Sequence, residues 1–573
     1  MNLYAVETYE VHFTTIDDPA IINLLRSTSQ LIALENNPPS TAAALRKRAE
    51  ADIPRFAKIL QTLAYYDAQI DLRIQIDMTP AQVIFDVNPG DLFVFSDFEV
   101  TTIDDDSSAI CQCISLDELE IEMGMPAYPK NILHAEELLL LEIATYGYPL
   151  AKIKERKVIA DVANKSISVT LVIDTGPQAR FGPTTISGAK KVCDSFFQKK
   201  IAWGNGEIFN PCKIEETLQA LEASSLFSTI NITFAETVEE DNLLPMSIDV
   251  MEAKHRSTGF GIGYSTMRSF GVVGEYDNFN ERHLGERFAL RGAIWHNLFD
   301  GTYLYLVPDW HRRRQDLVWL MQAHHEITDG YTESFLSPSV SVERQVSYKL
   351  RTSAGFMFKH LKITDSDNNG LFNLFKIPLS LRWTDVDDPL DPSYGYTVTL
   401  KTVPTLEIFN DPFSYAINTV NFSSYLPLDY DGDLVLATRA TLGSIFGSSR
   451  RTIPPSELFY AGSEETIRGY RYLTVSPLNR KHEPTGGRSM MIFNVELRRS
   501  ISENWGIVLF YDIGNVYKGT LPNWNEHRLQ STGLGLRYDT PAGPLRLDIA
   551  LPLNKRKHVD HNFEVYFSLG QTF

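Results

Sequence analysis

The sequence predicts small α+β periplasmic repeats (β-α-α-β-β) leading into a sixteen-stranded antiparallel transmembrane β-barrel. Three observations carry this expectation. One pattern recurs through residues 1–255, after which the texture changes to short alternating segments. The chain then closes on a run in which Phe563, Val565, Phe567, Leu569 and Phe573 share one face. A strand with one apolar face, finished by an aromatic residue, is what a membrane barrel needs at its closing edge.

The repeat is marked by aromatic turns. Helical segments end at Tyr65-Tyr66, at Tyr146-Gly147-Tyr148 and at Leu226-Phe227, with 82 positions from Tyr66 to Tyr148 and 79 from Tyr148 to Phe227. Alternating strands after the first two turns stop at Pro89-Gly90 and at Gly176-Pro177. An even period of this kind signals repeated units rather than unrelated modules. Each unit reads as strand, helix, helix, aromatic turn, strand, strand, with helices covering one face of a short sheet. Boundaries fall near 1–95, 96–178 and 179–255. In the third unit Asn210 suits a helix cap, Pro211 a first turn, and Ile214, Leu218 and Leu221 an apolar stripe.

From 256 onward, sixteen alternating segments can be counted up to residue 573, separated by polar, Gly-rich or Pro-rich turns. A barrel hides its membrane signal in this way, because short alternating strands keep the mean hydropathy low. Aromatic residues make up 11% of the chain, with 25 Tyr and 32 Phe. Purely apolar runs, such as Leu138 to Leu141, are far too short for a membrane helix. Residues 444–487 stand out as a 44-residue segment between the eleventh and twelfth strands. With the repeats on the periplasmic side, this segment is the sixth external loop. The start, Met1 to Glu7, has neither a basic n-region nor an apolar h-region, so the chain reads as a processed or recloned mature form.

Several functions are disfavoured. A net charge of −19 argues against nucleic acid as a partner. No GxxxxGK[ST], HExxH or GxSxG occurs, and neither catalytic residues nor a cofactor are expected. His324-His325-Glu326 lies in a predicted strand where adjacent side chains face opposite ways, and the Asp385, Asp387, Asp388, Asp391 turn fits no EF-hand spacing, so no metal site is expected. Of the four cysteines, Cys111 and Cys113 lack CxxC spacing, whereas an oxidising periplasm permits a bridge between Cys193 and Cys212. A porin-like channel would explain sixteen strands but not the 255-residue arm.

The long loop carries Ile467-Arg468-Gly469-Tyr470, with Gly462 upstream. Strand twelve reads Ile492 to Arg498, strand thirteen Val508 to Tyr517, and the last segments run from Gly533 to Asp548 and from Phe567 to Phe573. In this order the motifs resemble outer-membrane assembly factors of the BamA/TamA superfamily, and the repeats resemble polypeptide-transport-associated (POTRA) domains. Three repeats on a chain of this size resemble the TamA group, outer-membrane subunits of the translocation and assembly module.

The resemblance implies that Arg468 enters the lumen against Glu496 and Asp512 with Phe510 alongside. It also implies a weak lateral seam at Gly259, Gly261 and Gly263 on the first strand and Leu569, Gly570 and Phe573 on the last. It implies an outer-membrane location with periplasmic repeats, and assistance in the translocation and insertion of autotransporters and other barrel clients. The partners implied are a TamB-like inner-membrane-anchored protein, unfolded outer-membrane proteins and membrane lipid. A two-partner-secretion-type role is the alternative within the same superfamily.

Overall fold

The computed structural model describes residues 8–103, 114–265, 269–364, 369–409, 411–429, 431–502, 504–540 and 545–569. Two compact units divide the chain: Met1–Ser187, Ile201–Ala220 and Ile230–Val250 form one, and Gly188–Lys200, Leu221–Thr229 and Met251–Phe573 the other. No described helix is long and apolar enough to cross a membrane.

Three small sheets share one topology. β1 (Tyr9–Thr14), β2 (Gln69–Gln75) and β3 (Ala81–Asn88) are ordered β1-β3-β2; β4 (Val94–Thr102), β5 (Lys152–Asp161) and β6 (Ser166–Asp174) are ordered β4-β6-β5; and β7 (Arg180–Ser187), β8 (Phe227–Phe234) and β9 (Leu243–Glu252) are ordered β7-β9-β8. In each sheet the last strand is central and runs parallel to the first. Central strands read as strict alternation, as in β3, where Val83, Phe85 and Val87 are fully buried against Leu25, Leu31, Leu45, Phe56 and Leu60.

The first repeat departs from the two-helix expectation. Four helices, Pro19–Thr28, Gln30–Ala33, Ala42–Glu50 and Ile53–Thr62, lie between β1 and β2. The break between the first two is fixed by a buried carboxylate. Asp52, fully buried, accepts from the Ser29 hydroxyl at 2.8 Å and from the Gln30 and Leu31 N–H groups at 3.0 and 3.1 Å. A distant acid therefore satisfies donors that the second helix leaves open at its N-terminus. In the third repeat, helix Pro211–Glu222 has Asn210 Oδ1 accepting from the Cys212 N–H at 2.9 Å. Its inner face includes a buried polar residue as well: the Thr217 hydroxyl accepts from the Ala202 N–H at 2.8 Å. Cys193 and Cys212 are free, exposed thiols rather than a bridge; Cys111 and Cys113 lie outside the described residues.

A carboxylate also orders the turn at 190–192. Glu252 Oε1 accepts from the N–H groups of Lys190, Lys191 and Val192 at 2.7, 2.6 and 3.0 Å. Burial raises the carboxyl pKa, but the three donors outweigh it and hold Glu252 below the ordinary glutamate range. A depressed folded pKa contributes stability above the unfolded value that is lost as pH falls through the folded one. Glu252→Gln is thus expected to cost about 1–2 kcal/mol at neutral pH. The difference from wild type should disappear in strong acid, as followed by urea unfolding across pH.

The second unit contains one antiparallel sheet of seventeen strands in sequence order. These are β10 (Arg256–Ser265), β11 (Ser269–Asn278), β12 (Arg287–Trp295), β13 (Leu298–Val307), β14 (Gln315–Ile327), β15 (Thr332–Gln345), β16 (Leu350–Thr364), β17 (Gly370–Lys376), β18 (Leu379–Val386), β19 (Gly395–Glu407), β20 (Phe413–Pro427), β21 (Leu434–Gly447), β22 (Ser489–Ser502), β23 (Trp505–Tyr517), β24 (Leu529–Tyr538), β25 (Leu545–Pro552) and β26 (Glu564–Leu569). The expected sixteen becomes seventeen for a local reason. β17 and β18 both lie between β16 and β19, so together they fill one position in the sheet. Pro378 interrupts them, because proline has no N–H to give the ladder. Among the described residues, β10 and β26 approach within 8 Å between Cα atoms with no ladder pairing them.

Strand alternation sorts the side chains. In β23, Val508, Phe510 and Asp512 are buried, whereas Ile507, Leu509 and Tyr511 face outward. Phe260 and Ile262 on β10 are 79% and 77% exposed. That outward apolar face, set against an inner face carrying buried charges, is the pattern of a barrel in lipid.

Candidate functional site: a buried arginine beneath the long loop

The connection between β21 and β22 turns sharply at two glycines, Gly462 (φ +103°) and Gly469 (φ +85°), where a side chain would be strained. The Thr466 hydroxyl accepts from the Gly462 and Ser463 N–H groups, both at 3.0 Å, closing a compact bend. This bend drives Ile467, Arg468 and Tyr470 inward, with Ile467 and Arg468 fully buried and Tyr470 1% exposed.

Arg468 is held by three carboxylates. Its Nε and Nη2 donate to Asp512 Oδ2 and Oδ1, both at 2.8 Å, a bidentate fork. Its Nη1 donates to Glu496 Oε1 at 2.7 Å and to Asp548 Oδ2 at 3.2 Å. Its backbone N–H also reaches Asp512 Oδ2, at 3.1 Å. The Phe510 ring lies 3.5 Å below the guanidinium carbon, a desolvated cation–π contact. Tyr566 on β26 accepts from the Gly469 N–H at 2.9 Å, and the Tyr470 hydroxyl donates to the Gln530 carbonyl at 2.6 Å. The bend is thus fastened to β22 through β26.

Sheet register explains how these groups meet. Asn494 lies opposite Asp512 and Glu496 opposite Phe510 across β22 and β23. Asp548 sits two strands beyond β23, and only small residues intervene. A Cβ on Gly533 would come within 2.4 Å of Phe510, and one on Gly535 within 2.3 Å of the Asp548 carboxylate. Those two glycines leave room for Phe510 and Asp548 to converge on Arg468. Arg498 pairs with Glu496 at 3.0 Å, and Arg537 and Arg546 pair with Asp548 at 2.6 and 3.2 Å. Buried charges are tolerable only when each has a counter-charge close by, as here.

Asp548, Arg537 and Arg546 are not among the residues the sequence singles out. Their signal is inward parity: Arg546, Asp548 and Ala550 alternate on β25, and Arg537 shares the inner face of β24 with Ser531. A second ionic knot, which no sequence motif marks, lies elsewhere on the wall. Glu457, at the root of the loop, accepts from Lys359 at 3.0 Å, from Lys376, and from the Tyr415 hydroxyl at 3.2 Å.

The seam residues fall on the end strands. Gly259 and Gly261 lie on β10 opposite Glu275 and Val273, Gly263 is paired with Gly271, and Leu569 ends β26 opposite Leu545. Gly570 and Phe573 lie outside the described residues. The acidic turn is internally satisfied: Asp387 accepts from the Ser393 and Tyr394 N–H groups, Asp388 from Leu390, and Asp385 pairs with Lys349.

Three α+β units, a lipid-facing barrel sheet and a loop arginine sunk among wall carboxylates define a class: a transmembrane β-barrel with an inward-anchored loop and an N-terminal modular arm. Residues 285–573 match the Omp85 superfamily domain, and the chain belongs to the Omp85 superfamily. It is 24% identical over 467 residues to the outer membrane protein assembly factor BamA of Nitratidesulfovibrio vulgaris, covering 77% of this chain and 57% of that one. It is 18% identical to BamA of Neisseria meningitidis serogroup B, covering 91% of this chain and 72% of that one. The chain thus spans little more than half the length of the first of these relatives. In fold it is similar to BamA from Haemophilus ducreyi lacking POTRA domains 1–3, with TM-score 0.67 at 16% identity over 82% of this chain and 99% of that one. It is also similar to CdiB from Acinetobacter baumannii, with TM-score 0.50 at 13% identity over 84% of this chain and 90% of that one. The barrel resides in the outer membrane, with the N-terminal repeats in the periplasm.

Proposed function

We propose that this chain is a non-enzymatic outer-membrane protein assembly factor of the TamA type. It aids translocation and insertion of autotransporters and other β-barrel clients, together with a TamB-like inner-membrane-anchored partner. The observation that carries the reading is the combination of the Arg468 anchor with end strands that meet without a ladder among the described residues. A strand edge left unpaired in hydrocarbon is costly, so an incoming client strand gains free energy by pairing there. Glycines at 259 and 261 weaken β10 and make its opening less costly. Client folding supplies the driving force, since the periplasm holds no ATP. The open edges of the three small sheets offer sites for strand addition by clients or partners.

The test uses the chain with its native cysteines replaced and new ones introduced at Gly261 and Leu569. Reconstituted in liposomes, the reduced protein is expected to accelerate client barrel assembly, read as the heat-modifiable folded band. Oxidation is expected to abolish the acceleration and reductant to restore it. Assembly that proceeds equally well with the seam bridged refutes lateral insertion.

A further inference from the structure

Outside the arginine site, the inner wall holds an unusual arrangement on β14 and β15. Glu326 and Glu333 are direct cross-strand partners, and alternation turns both onto the inner face, each 7% exposed. Like charges placed opposite one another on an antiparallel pair repel, and burial raises that cost. His324, two positions before Glu326, shares the same face. Its Nε2 lies 3.8 Å from Glu326 Oε2 and 3.7 Å from Glu333 Oε1. One ligand atom from each of the three residues falls within 4.8 Å of the others.

Three further observations point to a cation. The other ring nitrogen, His324 Nδ1, lies 2.9 Å from Asp300 Oδ2. With a cation on Nε2, a carboxylate at that position would hold the proton on Nδ1, as second-sphere carboxylates do for metal-bound histidines. The Phe335 ring stacks on the imidazole at 4.8 Å and restricts its rotation. Glu333 Oε2 is buried with no hydrogen-bond donor among the described residues. Its nearest ammonium, Lys359 Nζ, stands 3.7 Å away and is engaged by Glu457 at 3.0 Å. Among the described residues, Asp300, Glu326, Glu333 and Glu457 are paired with the ammonium groups of Lys359 and Lys376 and with the His324 ring, so the cluster keeps a net negative charge even when His324 is protonated.

We propose that His324, Glu326 and Glu333 bind one divalent transition cation of the zinc class inside the barrel wall, with Asp300 as the positioning residue. One imidazole and two carboxylates suit zinc, which takes N and O ligands at about 2.0–2.2 Å and leaves a fourth position for water. Calcium and magnesium prefer all-oxygen shells with more ligands. The cation relieves the repulsion between the opposed glutamates. It also bears on the long loop, because the Tyr472 hydroxyl donates to Glu326 Oε1 at 3.4 Å.

The experiment uses the full chain purified in detergent without a histidine tag, with cysteines alkylated and metal stripped by chelator. Zinc is titrated by calorimetry, and bound metal is counted by elemental analysis. One equivalent is expected on the wild type and none at this site in His324→Ala. Glu333→Gln, which removes one of the repelling charges and so keeps the fold, is expected to lose the equivalent too. Asp300→Asn is expected to weaken zinc about 10–100-fold. Cobalt substitution should give a visible absorption band in the wild type that is missing from Glu333→Gln. A wild type that takes up no stoichiometric zinc overturns the proposal, as does an equivalent retained with the same affinity in Glu333→Gln.

Discussion

Arg468→Ala is expected to destabilise the barrel unit by about 3–5 kcal/mol, because it leaves buried charge without its partner. The loss falls unevenly. Glu496 keeps Arg498, and Asp548 keeps Arg537 and Arg546. Asp512 loses both arms of its fork and keeps Asn494, at 2.8 Å, as a side-chain donor. The temperature at which the folded band converts to the unfolded band in SDS should fall by about 10 °C. Protease should cut the 448–488 connection sooner. Arg468→Lys is expected to recover only part of the loss, since an ammonium cannot present a planar two-armed donor to Asp512. Arg468→Ala combined with Asp512→Asn should be more stable than Arg468→Ala alone, because the stranded charge is gone. Equal stability of the single and double variants would show that Asp512 does not feel the loss.

Glu457→Ala is expected to be of similar size but to act at the loop's other attachment. Glu457 lies in a wall pocket between Lys359 and Lys376 and is 6% exposed. Without it, Lys376 has no carboxylate within 4 Å among the described residues. Lys359 retains Glu333 at 3.7 Å, so the greater cost lies at Lys376. A loss of about 3–5 kcal/mol follows for removing one partner of a buried pair. Glu457→Gln should recover little, since it keeps the shape but not the charge. Adding Lys376→Met to Glu457→Ala should restore stability, because an apolar side chain of similar length suits a dry wall. Thermal denaturation in detergent of the single and double variants measures the difference. A double variant no better than the single would mean that Lys376 is solvated in the absence of Glu457.

Much of the architecture could be read from the chain because it depends on local period. The aromatic turns at Tyr66, Tyr148 and Phe227 mark three α+β units, and period-two alternation marks the barrel strands. The break at Pro378 was visible as a residue but not as a topology. Whether a proline kinks a strand or divides it depends on how β16 and β19 pair around it. Likewise, the split between the first helices was not legible, because it depends on Asp52 reaching back to the Ser29 hydroxyl and the Gln30 and Leu31 N–H groups.

In the loop site, Arg468, Glu496, Phe510 and Asp512 follow from the resemblance of the loop motif and its flanking strands to the assembly factors, and strand parity agrees with it. Asp548 does not, because its approach to Arg468 depends on the space left by Gly533 and Gly535 in an intervening strand. His324 shows the same limit from another side. Alternation separates it from His325, which argued against a metal, yet the same alternation places it beside Glu326 and across from Glu333.

By itself, then, the sequence determined the modules, the strands and the face each side chain takes, because these follow from backbone periods of a few residues. Only the tertiary structure decided which inward charges meet. Register across neighbouring strands, and the room left by single missing side chains, set distances between residues tens to more than a hundred positions apart, and burial then makes those meetings energetically decisive.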